Sequence, residues 1–299
     1  MKILISGSNG LLGSRLLPFL EQDAHTVFRL VRSKKSTGPN DIYWNPAGKE
    51  LDASQLEGID AVIHLAGESI SGGRWTAQKK ARIRDSRVQG TELLSEALSS
   101  LKRPPGVLIS ASAMGFYGNR GSETLSEGSS AGDGFLAEIC RLWEGATMSA
   151  QKQGIRVVHL RFGLILSLAG GAFAQLLPPF RLGLGGRIGD GKQYMSWVVL
   201  DEVLHIVKHA LITEGLQGPV NVSSPNPVTN REFTKILGKV LGRPTIFPLP
   251  ANIVRVLFGE MGDDLLLSSI CMTPQQLQKT GYGFQYPSLE DAFRFLLKP

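Results

Sequence analysis

A glycine-rich turn near the start of the chain constrains the fold more than any other feature. It follows the apolar segment Lys2–Ser6 directly and reads Gly7-Ser8-Asn9-Gly10-Leu11-Leu12-Gly13. Gly7 allows a tight turn, Gly10 lets the backbone approach a ligand, and Gly13 lets the following helix pack against the strand. The first N–H groups and the dipole of that helix favour phosphate groups. The sequence therefore predicts a strand, a phosphate-binding turn and a helix that together bind a dinucleotide.

Short apolar or β-branched runs alternate with longer helical patterns in the first half of the chain. We predict strands at residues 2–6, 25–31, 61–66, 107–112 and 155–162. The later runs are nearly all apolar, which is typical of parallel strands that helices cover on both faces. Between two of them, a stripe at helical spacing is formed by Leu94, Leu98 and Leu101. The predicted fold class is α/β, a Rossmann-type doubly wound parallel sheet with right-handed crossovers.

The composition of the chain changes after about residue 166. Glycine and proline become frequent there, for example in Pro178-Pro179 and Gly183-Leu184-Gly185-Gly186. Segments rich in these residues rarely form core strands. We predict a dinucleotide-binding Rossmann domain at residues 1–166 and a smaller, substrate-facing C-terminal lobe at residues 167–299. Parts of residues 195–223 are predicted to return to the Rossmann sheet as further strands.

The residues after the second predicted strand bear on the choice of cofactor. In folds of this kind an acidic residue about 20 residues beyond the turn binds the ribose hydroxyls of NAD. This chain has Val31-Arg32-Ser33 there instead. A guanidinium can donate a fork of hydrogen bonds to a phosphate, and no carboxylate stands at this position to repel it. The sequence therefore predicts NADP(H) over NAD, with an ordinary solvated arginine as the alternative.

A third cofactor signal lies at the end of the predicted strand 61–66, which continues as Leu65-Ala66-Gly67-Glu68. Small residues at this position allow the ribose and the pyrophosphate to lie against the backbone at the carboxyl edge of the sheet. His64 sits inside the same apolar strand. We interpret it as a buried structural histidine and not as a catalytic group.

Composition narrows the class of protein. With 299 residues and 42% hydrophobic content, the chain can bury a large core. Its net charge of +6 comes from scattered basic side chains, which favours an anionic small ligand over nucleic acid. Cys140 and Cys271 are too few for a disulfide framework or a metal site, so we expect two buried free thiols. This favours an intracellular protein, cytoplasmic by default, and leaves the nucleus and an organelle matrix open. No run approaches the roughly 20 apolar residues of a membrane span, and no membrane partner is expected.

Together these residues resemble the short-chain dehydrogenase/reductase superfamily in its extended, epimerase-like form. The glycine spacing, His64-Leu65-Ala66 and the strand end Ser110-Ala111-Ser112 occur where that superfamily has them. Within it, the chain from residue 1 to about residue 290 resembles an atypical branch that is usually labelled epimerase family protein or NADP-dependent oxidoreductase. The matching stretches are residues 65–70, Arg74-Trp75, residues 110–118, Gly185-Gly186, residues 193–197 and residues 259–261.

The resemblance implies a serine that hydrogen-bonds the substrate oxygen and a Tyr-x-x-x-Lys pair, in which the lysine lowers the tyrosine pKa so that the phenol can exchange a proton. Ser112 occupies the serine position. The helix that should carry the pair contains neither tyrosine nor lysine and reads Phe135-Leu136-Ala137-Glu138-Ile139-Cys140-Arg141-Leu142-Trp143-Glu144. Tyr117, just past the same strand end, is the candidate for a replacement proton donor, and a packing role is the equal alternative.

Other polar residues are candidates because of the region in which they lie. In extended relatives the segment containing Glu68, Arg74, Trp75 and Arg87 faces the nicotinamide, which implies contact with cofactor or substrate. A solvated helix face is the alternative for a single arginine. Arg161, at the end of a predicted strand, is placed to meet an anion. We therefore include Glu68, Arg87 and Arg161 among the predicted cofactor-binding residues.

The loop at residues 187–197 resembles the part of extended members that lines the substrate pocket. It is rich in glycine and carries Lys192, Gln193, Tyr194 and Trp197. Hydrogen-bond donors beside an aromatic wall suit a polar or anionic small-molecule substrate.

The leading hypothesis is an NADP(H)-dependent oxidoreductase that acts on an unidentified carbonyl or alcohol, with Ser112 polarising the substrate oxygen and Tyr117 as proton donor. The missing pair keeps open a non-catalytic, NADPH-binding regulator or sensor. A sugar-nucleotide epimerase is a weaker third hypothesis, because that chemistry depends on the pair. Extended relatives often form homodimers, but the helix containing Cys140 shows no clear apolar stripe, so a homodimer stays open.

Overall fold

The computed structural model describes residues 1–34, 38–71 and 73–297. The strands, numbered in chain order, are β1 (Lys2–Ser6), β2 (Thr26–Val31), β3 (Asp41–Asn45), β4 (Glu50–Leu51), β5 (Ala61–His64), β6 (Val107–Ala113), β7 (Thr124–Leu125), β8 (Arg156–Phe162), β9 (Leu164–Leu166), β10 (Tyr194–Met195), β11 (Trp197–Val199), β12 (Gly218–Val222), β13 (Val228–Thr229) and β14 (Cys271–Met272). The helices are α1 (Gly13–Gln22), α2 (Ala77–Ser99), α3 (Phe135–Gly145), α4 (Met148–Lys152), α5 (Gly171–Arg181), α6 (Leu200–Ile212), α7 (Asn230–Leu241), α8 (Ala251–Phe258), α9 (Glu260–Gly262), α10 (Gln275–Lys279) and α11 (Leu289–Leu297). A π-helical segment, Asp263–Leu267, follows α9 directly.

The main sheet has eight strands in the order β12-β8-β6-β5-β1-β2-β3-β4. All neighbours pair in parallel except β3 and β4, which pair antiparallel at one edge. The five predicted strands correspond to β1, β2, β5, β6 and β8, so the predicted α/β Rossmann-type sheet is confirmed. The strand order reverses between β1 and β5. At such a switch point, open α/β sheets bind their ligands outside the carboxyl ends of the strands.

Two segments differ from the expectations. The strand β3 was not predicted, because it is short and only alternate residues, Ile42 and Trp44, are buried. Of the two later segments predicted to return to the sheet, Gly218–Val222 does so beside β8, whereas Trp197–Val199 pairs with β9 in a separate two-stranded sheet. The division of the chain at residue 166 stays a prediction.

Apolar residues form a core on each face of the sheet and a third core in the C-terminal part. The stripe of Leu94, Leu98 and Leu101 on and just after α2 is buried against one face, as its spacing predicted. The opposite face is covered by α1 and α6. The third core is built around Phe173, which stacks on the ring of Phe293 at 5.6 Å between centroids. Both faces of the main sheet are therefore covered by packed apolar side chains.

Neither a membrane-spanning helix nor a metal-binding cluster is present in residues 1–34, 38–71 and 73–297. No helix there is long and apolar enough to cross a membrane. No group of three or more His, Cys, Asp and Glu side chains there could hold a metal ion. Cys140 and Cys271 are buried and free, as predicted.

Candidate functional site

The glycine-rich turn joins β1 to α1 at the switch point of the sheet. Gly7 has a φ of 71°, a conformation that glycine adopts without strain. A Cβ added to Gly7 would lie 2.8 Å from the carbonyl carbon of Leu65, and one added to Gly13 would lie 2.3 Å from the carbonyl oxygen of Gly7. The backbone of the turn therefore packs directly on the residues that follow β5, and Gly7 and Gly13 leave no space for side chains there.

The beginning of α1 has hydrogen-bond donors without protein partners. The backbone N–H groups of Leu11, Leu12 and Gly13 make no hydrogen bond to the part of the chain that the structure describes. The first turn of α1 carries no acidic residue, and no side chain caps it. Unpaired N–H groups at the positive end of a helix bind anions such as phosphate. The residues of this turn therefore fit the pyrophosphate of a dinucleotide.

We call the space outside the carboxyl ends of β1 and β5, at this switch point, the crevice. A chain of hydrogen bonds holds the backbone beside it. Ser6 Oγ accepts from the N–H groups of Leu65 at 3.1 Å and Ala66 at 3.2 Å, which leaves its hydrogen for His64 Nδ1 at 2.6 Å. His64 Nε2 then donates to Thr91 Oγ1 at 3.0 Å. Complete burial lowers the pKa of His64 to about 4. The histidine is a buried, neutral structural group, as predicted, and it ties β1, β5 and α2 together.

Positive charge collects beside the end of β2. Arg32 and Ser33 follow β2 and are exposed. Across the crevice, the Glu68 carboxylate lies 2.7 Å from Lys79 Nζ and 3.9 Å from Arg82 Nε. The hydrogen bond from Lys79 is the largest cause that lowers the pKa of Glu68, and the charges of Arg82 and Arg32 lower it further. Lys79 and Arg82 were not predicted as site residues from the sequence. Their helical spacing after the third predicted strand was the only feature that could have indicated them.

Ser112 lies at the end of β6, but its hydroxyl is already engaged. The residue is 2% exposed, and its Oγ donates to Glu144 Oε1 at 2.7 Å. Arg161 donates a fork to the same carboxylate, with both N···O distances 2.8 Å. Burial opposes the charge of Arg161, yet the hydrogen bonds and charge of Glu144 outweigh it and raise the pKa. Because Glu144 neutralises Arg161 inside the protein, this geometry does not support the predicted contact of Arg161 with the cofactor.

Tyr117 is fully buried. Its hydroxyl accepts from Arg161 Nη1 at 2.9 Å and donates to Asn221 Oδ1 at 2.7 Å. Burial is the main cause that raises the pKa of Tyr117, against the lowering effect of Arg161. Because the phenol hydrogen is directed to Asn221, Tyr117 can protonate a substrate only by releasing that hydrogen bond. Its role as proton donor stays a prediction without support from this geometry.

The segment after β5 contacts α3 and also the helices α8 and α9 in the C-terminal part of the chain. Trp75 is buried, and its ring centroid lies 5.1 Å from that of Phe135. Arg74 donates to the carbonyl oxygen of Val256 in α8. Lys80, at the start of α2, pairs with Glu260 at 2.6 Å. Arg74 and Trp75, which the sequence placed near the nicotinamide, therefore join the two parts of the chain beside the crevice.

A cavity of about 210 Å³ lies between the residues that follow β6 and the π-helical segment. Its polar lining contains three aspartates, and Arg255, which also lines it, is paired with Asp263 at 2.8 Å. Burial, followed by the charge of Glu260, raises the pKa of Asp264. The lining residues are Gly115, Gly118, Asn119, Asp133, Leu136, Arg255, Asp263, Asp264, Leu267, Ser268 and Ile270.

The loop at residues 187–197, predicted to line the substrate pocket, contributes none of that lining. Trp197 is fully buried in the core of the C-terminal lobe, where its Nε1 donates to the carbonyl of Asn226. Gln193 is 7% exposed and donates to the carbonyls of Ile188 and Leu266. Gln193 and Trp197 of this loop thus have structural roles.

Comparison with protein families matches most of the chain to one family model. Residues 3–222 match the model described as the NAD dependent epimerase/dehydratase family. Residues 249–296 match a model described as a domain of unknown function, DUF1731. The first match contains the glycine-rich turn and all eight strands of the main sheet, and the second contains α8 and the π-helical segment.

Similar proteins and structures extend over the full length. Epimerase family protein Mb2239 of Mycobacterium bovis is 41% identical over 98% of this chain and 96% of its own length. The crystal structure of human epimerase family protein SDR39U1 with NADPH has 31% identity and a TM-score of 0.89, with 99% of each chain covered. A UDP-glucose 4-epimerase of Thermotoga maritima has 18% identity and a TM-score of 0.77, covering 100% of this chain and 98% of its own, and it supports the fold alone.

Proposed function

The chain belongs to the NAD dependent epimerase/dehydratase family, and we propose that it is an NADP(H)-dependent oxidoreductase acting on a carbonyl or alcohol group. The observation that carries the proposal is the crevice at the switch point, where N–H groups at the start of α1 have no partner among the described residues. The similarity to the human relative that was crystallised with NADPH supports the same cofactor here.

Each part of the crevice fits one part of the cofactor. The N–H groups of Leu11, Leu12 and Gly13 would hold the pyrophosphate. Arg32, exposed at the end of β2, would donate its fork of N–H groups to the 2′-phosphate of the adenosine ribose. When bound, the nicotinamide supplies or accepts a hydride. The protein residues would orient this ring and would donate or accept the proton that accompanies the hydride.

Ser112 is the residue that we assign to the substrate oxygen. Because its hydroxyl hydrogen is directed to Glu144, the lone pairs of Oγ can accept a hydrogen bond from a substrate hydroxyl. To polarise a carbonyl, Ser112 would first have to release Glu144. The arrangement therefore suits the alcohol form of the substrate better than the carbonyl form, and Arg161 holds Glu144 in place for this task.

The cavity beyond β6 bears on the substrate class. Asp133, Asp263 and Asp264 line it, and Asp263 is the only one of them paired with a basic side chain within the part of the chain that the structure describes. Such a lining attracts hydroxyl or amino groups and repels carboxylates and phosphates. Between the polar and anionic substrates that the sequence left open, we propose a polar substrate that donates hydrogen bonds.

The test uses purified protein with NADPH and a broad panel of aldehydes, ketones and quinones, and with NADP⁺ and the matching alcohols. Absorbance of the reduced nicotinamide reports turnover. We expect turnover with at least one pair and its loss in Ser112→Ala, with NADPH affinity retained. If the protein binds NADPH but turns over none of the panel, and Ser112→Ala leaves a cellular phenotype intact, the oxidoreductase assignment is wrong.

One observation favours a second candidate, a non-catalytic NADPH-binding regulator or sensor. The buried polar groups at the end of β6 satisfy one another, since Ser112, Glu144, Arg161 and Tyr117 form one connected network. Such a network needs no substrate to complete it. Slow NADPH oxidation that Ser112→Ala abolishes would exclude this candidate.

An intracellular, cytoplasmic location stays a prediction, and whether the protein forms a homodimer stays open. The two buried free cysteines agree with a reducing compartment. Light scattering of the purified protein, with and without NADPH, would decide the oligomeric state.

A further inference from the structure

Arg87 lies between the dinucleotide crevice and the helix that lacks the Tyr-x-x-x-Lys pair. It projects from α2, and its Nη1 donates to the carbonyl oxygens of Glu68 at 2.9 Å and Ile83 at 3.1 Å. A Cβ added to Gly67 would lie only 3.4 Å from Arg87 Cζ. On the other side, Cζ lies 4.9 Å from the ring centroid of Trp143 in α3. The guanidinium therefore fills the space between the backbone after β5 and one face of α3.

The charge of Arg87 has no carboxylate partner in the described parts of the chain. No Asp or Glu oxygen there lies within 4.0 Å of its nitrogens, and the nearby Glu68 carboxylate is engaged by Lys79 and Arg82. Burial lowers the pKa of Arg87, opposed by the charges of Cys140 and Glu68. A partly buried cation without a counter-ion is costly, and a bound anion or polar ligand offsets that cost.

Arg161 provides the contrast. It is the more deeply buried arginine, 3% exposed, and a fork of hydrogen bonds to Glu144 matches its charge. Arg87 keeps partial exposure, and its Nε and Nη2 groups make no hydrogen bond to residues 1–34, 38–71 or 73–297. These two groups form part of a rigid fork of donors. The Nε and Nη2 groups of Arg87 can therefore donate hydrogen bonds to the oxygen atoms of a bound ligand.

The place of Arg87 identifies which part of the cofactor it would meet. Arg32 marks the adenosine side of the crevice at β2, and the turn after β1 takes the pyrophosphate. A dinucleotide that crosses the switch point must extend its other half over β5 toward β6. Gly67 and Arg87 lie along that path, before Ser112 is reached at the end of β6.

We propose that Arg87 supplies from α2 the positive charge that α3 lacks, and that its free nitrogens bind the ribose hydroxyls and the phosphate of the nicotinamide half of NADP(H). This inference rests on the proposed cofactor. It gives the site a cation on the nicotinamide side as well as on the adenosine side.

The test compares two probes, NADPH and 2′,5′-ADP, by calorimetric titration. The second probe keeps the adenosine phosphates but lacks the nicotinamide ribose. We expect Arg87→Met to weaken NADPH binding at least tenfold and to change 2′,5′-ADP binding less than twofold. Arg87→Lys, which keeps the charge, should restore part of the NADPH affinity. Arg84→Met removes an exposed arginine of the same helix, paired with Asp85, and should leave both affinities unchanged.

Each contrary result has a distinct meaning. Equal losses for the two probes, or no loss for either, would overturn the role of Arg87 and leave the proposed cofactor standing. A wild-type protein that binds neither probe would overturn both. If the methionine variant does not fold, Arg87→Gln keeps a donor for the Glu68 carbonyl without the charge and is expected to give the same selective loss.

Discussion

The turn between β1 and α1 and the end of β6 lie at the same edge of one sheet, but they differ in whether their polar groups have hydrogen-bond partners within the described chain. At the turn, backbone N–H groups at the start of α1 have no partner in the described chain, and Gly7 and Gly13 keep side chains away. At the end of β6, Ser112 and Arg161 both donate hydrogen bonds to Glu144, and Arg161 also donates to the hydroxyl of Tyr117. The first region is prepared for a ligand, whereas the second is satisfied without one. The structure therefore supports dinucleotide binding more directly than it supports a catalytic reaction.

The largest effect is expected where the charges are buried. Glu144→Ala leaves the guanidinium of Arg161 without a counter-ion and should cost roughly 3–5 kcal/mol of unfolding free energy, measured by urea denaturation. The double variant Glu144→Ala, Arg161→Met removes both charges and should recover much of this loss. If the single variant costs no more than the double variant, the region is not internally satisfied, and the comparison with the turn fails.

A smaller but still large effect is expected at the turn. In Gly13→Ala the new Cβ would meet the carbonyl oxygen of Gly7 and force the turn away from β5. NADPH affinity should fall on the order of 100-fold, or about 2.7 kcal/mol, in a fluorescence titration. Gly145→Ala is the matched control, because a Cβ there meets nothing within 4 Å. Equal affinities for the two variants would show that the close packing of the turn is not needed for binding.

The histidine below the crevice predicts a pH dependence. The pKa of His64 falls from 6.5 to about 4 on folding, so the unfolded chain binds the proton more tightly. The stability that neutral His64 provides is present above pH 6.5 and is lost as the pH falls toward 4. Between pH 7 and pH 5 it should account for roughly 2 kcal/mol of lost unfolding free energy.

His64→Gln keeps hydrogen-bonding atoms without titrating in this range, and it should remove that share of the pH dependence. His159 and His209, whose pKa values burial also lowers, titrate in both proteins and serve as an internal control. An unchanged slope of stability against pH in the variant would contradict a buried, neutral His64.

The smallest effect concerns the choice between cofactors. Arg32→Asp should weaken NADPH binding about tenfold more than NADH binding, a difference of about 1.4 kcal/mol, because the carboxylate repels the 2′-phosphate. Arg243→Asp makes the same charge change at an exposed arginine of the C-terminal lobe and should affect both cofactors alike. Equal losses of the two cofactors in Arg32→Asp would remove Arg32 from the 2′-phosphate site.

Much of the fold could be predicted because its signals are local. The strands β1, β5, β6 and β8 are nearly continuous apolar runs, and helices cover both of their faces. The strand β3, which has only the two-residue strand β4 beyond it, was missed because it is short and buries only alternate residues. Trp197 was wrongly placed in the wall of a pocket, since an aromatic residue in a glycine-rich loop looks the same whether it faces a ligand or a core.

The candidate site was predicted only where its residues are contiguous in sequence. The turn could be recognised because three glycines at fixed spacing determine its backbone. The partners of Ser112 and Tyr117 could not, because Glu144 and Asn221 lie 32 and 104 residues away along the chain. No spacing rule connects residues that different strands and helices bring together.

The sequence by itself determined the phosphate-binding turn and the parallel sheet around it, because glycine conformation and apolar periodicity act within a few neighbouring residues. Only the tertiary structure decided how the charges are used. Arg161, predicted to meet an anion, is neutralised by Glu144, whereas Arg87 has no carboxylate partner among the described residues and lies beside the crevice. The physical reason is that a charge is matched or left unmatched by groups distant in sequence, and folding alone places those groups beside it.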